Sequence, residues 1–174
     1  KHRDSVPIYW SHCATWRISH PKLYPPAIVD LDGVKKAGED ARKSGISALK
    51  TNLFVDENGK PRQWMAGFGS PYAPSLNVDK ALIRNLRAHL EALRDGAGPD
   101  VDILVDLNFN ARTEGYLSLI NAIKDFDLFW VELDIYNPNA MAYIRQRSHA
   151  PIAACETLFG VRQFLPYFQA QSMD

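Results

Sequence analysis

Three acidic residues carry the most chemistry in this sequence, and they do so by position. Asp106 follows Ile103-Leu104-Val105, Glu132 follows Phe129-Trp130-Val131, and Glu156 follows Ile152-Ala153-Ala154-Cys155. Each apolar run reads as a short strand, so each acid stands at the C-terminal end of one. They lie 26 and 24 residues apart, close to one strand-plus-helix unit of an eight-unit barrel of roughly 250 residues. Three successive units would then deliver one carboxylate each to a common rim. Carboxylates gathered that way repel one another unless a cation lies between them. Ligation by oxygen alone suits a hard ion, Mg²⁺ first and Mn²⁺ as a substitute. An acid after a strand also serves as a helix N-cap or a solvated loop charge. Repetition at the same place in three units favours the metal.

The elements that must hold these acids alternate along the chain. Val6-Pro7-Ile8-Tyr9-Trp10 is β-rich, and residues 21–26 form a Pro-rich loop. Residues 32–44 carry helical charges and stop at Gly45, a common helix terminator. Residues 46–53 read as a strand. Residues 55–75 are rich in Gly, Pro and aromatics and read as a long loop, a lid or a wall of a substrate pocket. Residues 77–94 place Val78, Leu82, Leu86, Leu90 and Leu93 on one helical stripe. Strands follow at 101–105, 128–133 and 151–155, with helices at 113–124, 137–147 and 160–168. Strands with continuous apolar runs are buried on both faces, so the sheet is parallel and the class is α/β. The expected architecture is a TIM-type (β/α) barrel built as one domain over residues 1–174, incomplete at about strands 1 to 5 or 6 of 8.

Bulk properties narrow the function. The 174 residues are 46% hydrophobic and 23% charged, the balance of a globular domain. Twenty basic and 20 acidic residues give zero net charge, with no basic stripe for nucleic acid. No apolar run of about 18 residues offers a membrane span. Cys13 and Cys155 are too few for a disulfide framework and read as small buried hydrophobes, so the expected setting is cytoplasmic. His12 and Arg17 flank the end of the first strand; Arg17 is suited to gripping a substrate hydroxyl or carboxylate. A loop packed by Trp16 is the plainer reading. Asn110 and Arg112 would cap the following helix or reach the pocket.

From about Val6 onward the sequence resembles the mandelate racemase and muconate lactonizing group of the enolase superfamily. Asp106-Leu107-Asn108 resembles that family's D-x-N, and Trp130-Val131-Glu132-Leu133-Asp134 its W-x-E-E-P, with Leu133 and Asp134 departing from E-P. Pro151-Ile152-Ala153-Ala154-Cys155-Glu156 resembles P-I-A-x-G-E, with Cys155 in place of Gly. Lys50-Thr51-Asn52 matches K-x-K only at Lys50. The resemblance implies Asp106, Glu132 and Glu156 as Mg²⁺ ligands and removal of the proton α to a substrate carboxylate through a metal-stabilised enolate. It implies Lys50 as an electrostatic helper and sets Asn52 and Asn108 against the substrate. Asn52 in place of lysine argues against a two-base racemase. The K-x-N pattern is similar to galactonate-type sugar-acid dehydratases, although those tend to carry His where Asn108 stands. Racemization or cycloisomerization is the alternative, and a non-catalytic α/β module the second. The resemblance also implies an absent N-terminal capping domain and absent last strands, which supply the usual His-Asp base. The expectation is therefore a homo-oligomeric family acting on small carboxylates, with little or no turnover by this chain alone.

Overall fold

The computed structural model describes residues 2–68 and 75–174. In chain order the elements are α1 (Thr15–Ser19), α2 (Leu31–Lys43), β1 (Ala48–Asn52), β2 (Phe54–Glu57), β3 (Lys60–Gln63), α3 (Lys80–Ala97), β4 (Asp102–Asp106), α4 (Thr113–Ala122), β5 (Trp130–Glu132), α5 (Pro138–Arg145), β6 (Ile152–Ala153) and α6 (Gly160–Gln169). Local chemistry sets several helix starts. The Asp30 and Asp79 carboxylates accept the Gly33 and Leu82 amides at the heads of α2 and α3, and Asn137 caps α5. No helix among the described residues is long and apolar enough to cross a membrane.

Four strands pair in the order β1-β4-β5-β6, every pairing parallel. The sheet is open, an incomplete TIM-type barrel. Leu49, Ile103, Val105 and Val131 point to the helix side and join Leu86, Leu90, Leu93, Leu119, Met141 and Ile144 in one core. The alternate residues Lys50, Asn52, Leu104, Asp106, Trp130 and Glu132 face the other way, toward the would-be barrel interior. Helices α2 and α3 cross closely because Gly38 and Gly96 meet there. A Cβ at Gly96 would run into the Lys35 carbonyl, and one at Gly38 would sit 2.6 Å from the Leu93 oxygen.

The expected helices over 32–44, 77–94, 113–124, 137–147 and 160–168 are present within a few residues of those bounds. Three stretches differ. The expected first strand over residues 6–10 contracts to a single parallel bridge, Trp10 to Leu49. Pro7 has no N–H to donate to a ladder, and Val6 and Ile8 are exposed. The expected loop over 55–75 begins as the β2–β3 antiparallel hairpin, turning at Asn58 and Gly59 with φ of 56° and 77°; residues 69–74 lie outside the described residues. A short helix, α1, occupies the loop after Trp10.

Candidate metal and carboxylate site

Parallel register places the strand-end residues side by side. Asn52 is level with Asp106, Asp106 with Glu132, and Glu132 with Ala153. One row therefore presents an amide and two carboxylates on the barrel-interior face. One layer lower, Lys50 is level with Leu104, and Leu104 with Trp130. The lysine rises from that layer into the acidic row. Its Nζ donates to Glu132 Oε2 at 2.6 Å and lies 3.2 Å from Asp106 Oδ2. The side chains of Lys50, Asp106 and Glu132 are only 6%, 4% and 12% exposed, so water screens this cluster little.

A buried carboxylate, Asp106, and a partly buried one, Glu132, thus share one ammonium. Burial alone would lower Lys50, but the Glu132 hydrogen bond and the two nearby carboxylates hold it above the ordinary lysine range. Glu132 is also pushed up, by burial first and then by Asp106, against the pull of Lys50. Burial raises Glu132 and the neighbouring carboxylates raise Lys50, so the two shifts have different leading causes.

A polar network orients the row. The Asn108 N–H and Nδ2 both donate to Asp106 Oδ1 at 2.9 Å. Asn52 donates through Nδ2 to Asn108 Oδ1 and to the Asp106 carbonyl, and accepts the Thr15 hydroxyl at 2.8 Å. Tyr116 OH and the Asp134 N–H both donate to the Asn108 carbonyl. Asn108 holds φ at 50°, a conformation Asn tolerates better than most residues.

The sequence-expected residues fall into two groups. Asp106, Glu132, Lys50, Asn52 and Asn108 are brought together. Glu156 and Arg17 are not in contact with them. Glu156 lies three residues beyond Ala153, where β6 ends, and is exposed; among the described residues its carboxylate makes no hydrogen bond or ion pair. It is near enough to act electrostatically on Glu132 and His12. Arg17 pairs with Asp40 of α2 at 3.1 Å and lies over the Trp10 ring. Asn110 is buried and ties the chain after β3 to the β4–α4 loop, accepting the Gly67 amide and donating to the Trp64 carbonyl.

Sequence reasoning passed over Tyr9, Trp130 and the role of Asp134. Tyr9 meets Trp130 edge-on at 5.5 Å and places its ring 5.9 Å from Lys50 Nζ. Trp130 Nε1 is buried with no partner among the described residues. Alternation along the strands was the available signal for both aromatics, since Trp130 stands two residues before Glu132. His12 sits at the first strand end with Nδ1 2.7 Å from Ser11 Oγ. Burial and then Lys50 depress its pKa, against Asp106 and Glu156.

The donor set is carboxylate oxygen, the chemistry a hard divalent cation prefers. Asp106 and Glu132 fit it, since they already close on one positive charge. Among the described residues no three His, Cys, Asp or Glu side chains are gathered closely enough to hold a metal ion; Glu156 is the carboxylate that falls short.

Comparison with known proteins identifies the family of the chain. The family described as enolase C-terminal domain-like matches residues 33–174. A protein from Burkholderia xenovorans strain LB400, provisionally named an L-alanine-DL-glutamate epimerase and solved with magnesium and fumarate, superposes with a TM-score of 0.95. It is 58% identical, over 99% of this chain and 43% of that one. A D-galactonate dehydratase family member from Streptomyces bingchenggensis is 25% identical over 99% of this chain and 41% of its own length. A provisionally named dehydratase from Mesorhizobium loti shares the fold at a TM-score of 0.75 and 22% identity, over 99% of this chain and 40% of that one. The chain spans less than half the length of each of these relatives.

Proposed function

The chain belongs to the enolase C-terminal domain-like family, and from that premise we propose that it forms the metal-holding part of an enzyme that removes the proton α to a carboxylate, most specifically in the dehydration of a sugar acid. The observation that carries this reading is the shared cation. Asp106 is buried and Glu132 partly buried on one rim, with a single ammonium between them, leaving negative charge that a divalent ion would neutralise. Asp106, Glu132 and Glu156 would hold Mg²⁺. When bound, the ion supplies the positive charge on which the substrate's developing negative charge rests.

The remaining work falls to the chain's own residues. Asn108 and Asn52 fix Asp106 in one orientation, so the carboxylate is pre-set. Lys50, released from the two acids, stands next to them and offers its ammonium to the substrate carboxylate. Tyr9 and Trp130 wall the layer below with apolar rings.

Dehydration is supported by the curated relatives, which are named D-galactonate dehydratase family members, and by Asn52 at the second K-x-K position. Epimerization is the second reading. It is favoured by the 58%-identical relative, whose name is an epimerase and whose bound fumarate is a small dicarboxylate.

The test is thermal melting with and without Mg²⁺. A ligand at 100 times its Kd stabilises the native state by about 2.7 kcal/mol, which raises Tm by roughly 5–10 °C in a domain of this size. The wild type is expected to show that rise, and Glu132→Gln less than about 1 °C of it. Equal responses in both would remove the carboxylates from the site.

A further inference from the structure

The side chain of Glu156 has no partner of its own among the described residues, so its place is set by backbone, and that backbone has one conspicuous brace. Asp134 is buried, and its Oδ1 accepts the Cys155 amide at 2.7 Å. The Asp134 N–H in turn donates to the Asn108 carbonyl at 3.3 Å, and Asn108 holds Asp106 Oδ1 through two hydrogen bonds. A polar strap therefore runs from Asp106 at the end of β4, across the chain after β5, to the residue beside Glu156 after β6. It joins all three acid-bearing strand ends without passing through Lys50.

The strap is anchored where the backbone is least comfortable. Cys155 holds φ at 75°, in the left-handed region that a non-glycine residue occupies only when its surroundings impose it. A buried carboxylate also loses its hydration and must use its acceptors. Here the Asp134 acceptor is used on the one amide that fixes the strained residue.

We propose that Asp134 is the positioning residue for Glu156: by accepting the Cys155 amide it fixes the turn after β6 from which the third carboxylate projects. This rests on the reading of Glu156 as a metal ligand. Asp134 does not itself touch the cation; it acts through the backbone of its neighbour.

The test uses the full chain and three proteins: wild type, Asp134→Leu and Asp134→Asn. Hydrogen exchange at the Cys155 amide reports the brace without metal, and calorimetric titration with MgCl₂ reports the site. In Asp134→Leu the Cys155 amide is expected to exchange at least about tenfold faster, and Mg²⁺ affinity to fall about 10- to 100-fold, the usual effect of losing a residue that orients a ligand. Asp134→Asn keeps an acceptor oxygen for the Cys155 amide, so exchange there is expected to stay within about threefold of wild type, and Mg²⁺ affinity to fall clearly less than in Asp134→Leu, the remaining loss reporting the removed charge. The inference is overturned if Asp134→Leu keeps wild-type affinity, or if it loses affinity with Cys155 exchange unchanged. It is also overturned if Asp134→Asn weakens binding as much as Leu does, because charge rather than the hydrogen bond would then be at work. Should Asp134→Leu not fold, Asp134→Ala, which also removes the acceptor, takes its place with the same expected and overturning outcomes. A wild-type chain that takes up no Mg²⁺ overturns the ligand role of Glu156 and the proposed function together, and the wild-type titration alone identifies that outcome.

Discussion

Lys50 lies between Asp106 and Glu132, and under the proposed function this sets two effects of its removal against each other. Without the ammonium, two buried carboxylates are left facing each other, and breaking a buried pair in this way costs about 3–5 kcal/mol. Lys50→Met should therefore melt lower than wild type in the absence of metal. The same substitution removes the competitor for the acids, so the Tm gain on adding Mg²⁺ should exceed the wild-type gain. Paired melts of the two proteins check this; a smaller gain in Lys50→Met would mean that lysine and metal do not share a place. Which partner Lys50 chooses was not legible in the sequence, because the choice depends on an ammonium reaching up from the layer beneath. The two acids it joins were legible, since a strand-end acid after a continuous apolar run points to one rim whatever the details of packing. Glu156 was legible as a rim residue but not as one standing apart. Its separation follows from β6 ending at Ala153 and from the left-handed turn at Cys155.

At the scale of elements, the contact between α3 and β1 contains a titratable group with a definite pH effect. His89 is fully buried, bonded to the Thr51 hydroxyl at 2.9 Å and packed on the Phe54 ring at 4.6 Å. Burial lowers its pKa from 6.5 to about 3. The unfolded chain takes up a proton as pH drops below 6.5, and the folded chain does not until near 3. His89 therefore leaves stability intact above 6.5 and erodes it as pH falls from there toward 3, by up to about 1.4 kcal/mol per pH unit. Urea unfolding of wild type and His89→Gln at pH 7, 6 and 5 should show that slope in the wild type and a flatter one in the variant. Parallel slopes would place the acid sensitivity elsewhere. The helices were readable because stripes such as Leu82, Leu86, Leu90 and Leu93 repeat cleanly. The β2–β3 hairpin was not, although Asn58-Gly59 is a strong turn signal. Its flanks, Asp56, Glu57, Lys60 and Arg62, lack the apolar alternation that would mark strands. Five-residue α1 is too short for any periodicity to show.

Across the whole molecule, apolar surface collects at the two ends of the open sheet. On α6, Val161, Leu165 and Phe168 form one helical stripe and are 77%, 46% and 59% exposed. Beside the single Trp10 bridge, Val6 and Ile8 are 69% and 74% exposed. Unpaired strand edges and contiguous apolar surface favour association. Sedimentation of this chain should show self-association that grows with concentration, and Val161→Lys with Phe168→Lys should suppress it. A monomer at every concentration would show that these edges are inert.

The Lys50–Glu132 contact joins residues 82 positions apart, and that separation fixes the order of events as the chain folds. Loop-closure entropy must be met before so distant a contact returns anything, and parallel strands joined by helical crossovers assemble slowly. The cluster of Lys50, Asp106 and Glu132 therefore does not exist in any early, local fragment of structure. It comes into being with the docking of β1, β4 and β5. A ligand bound to that cluster would slow the separation of β1, β4 and β5, while giving no help to their first steps of assembly.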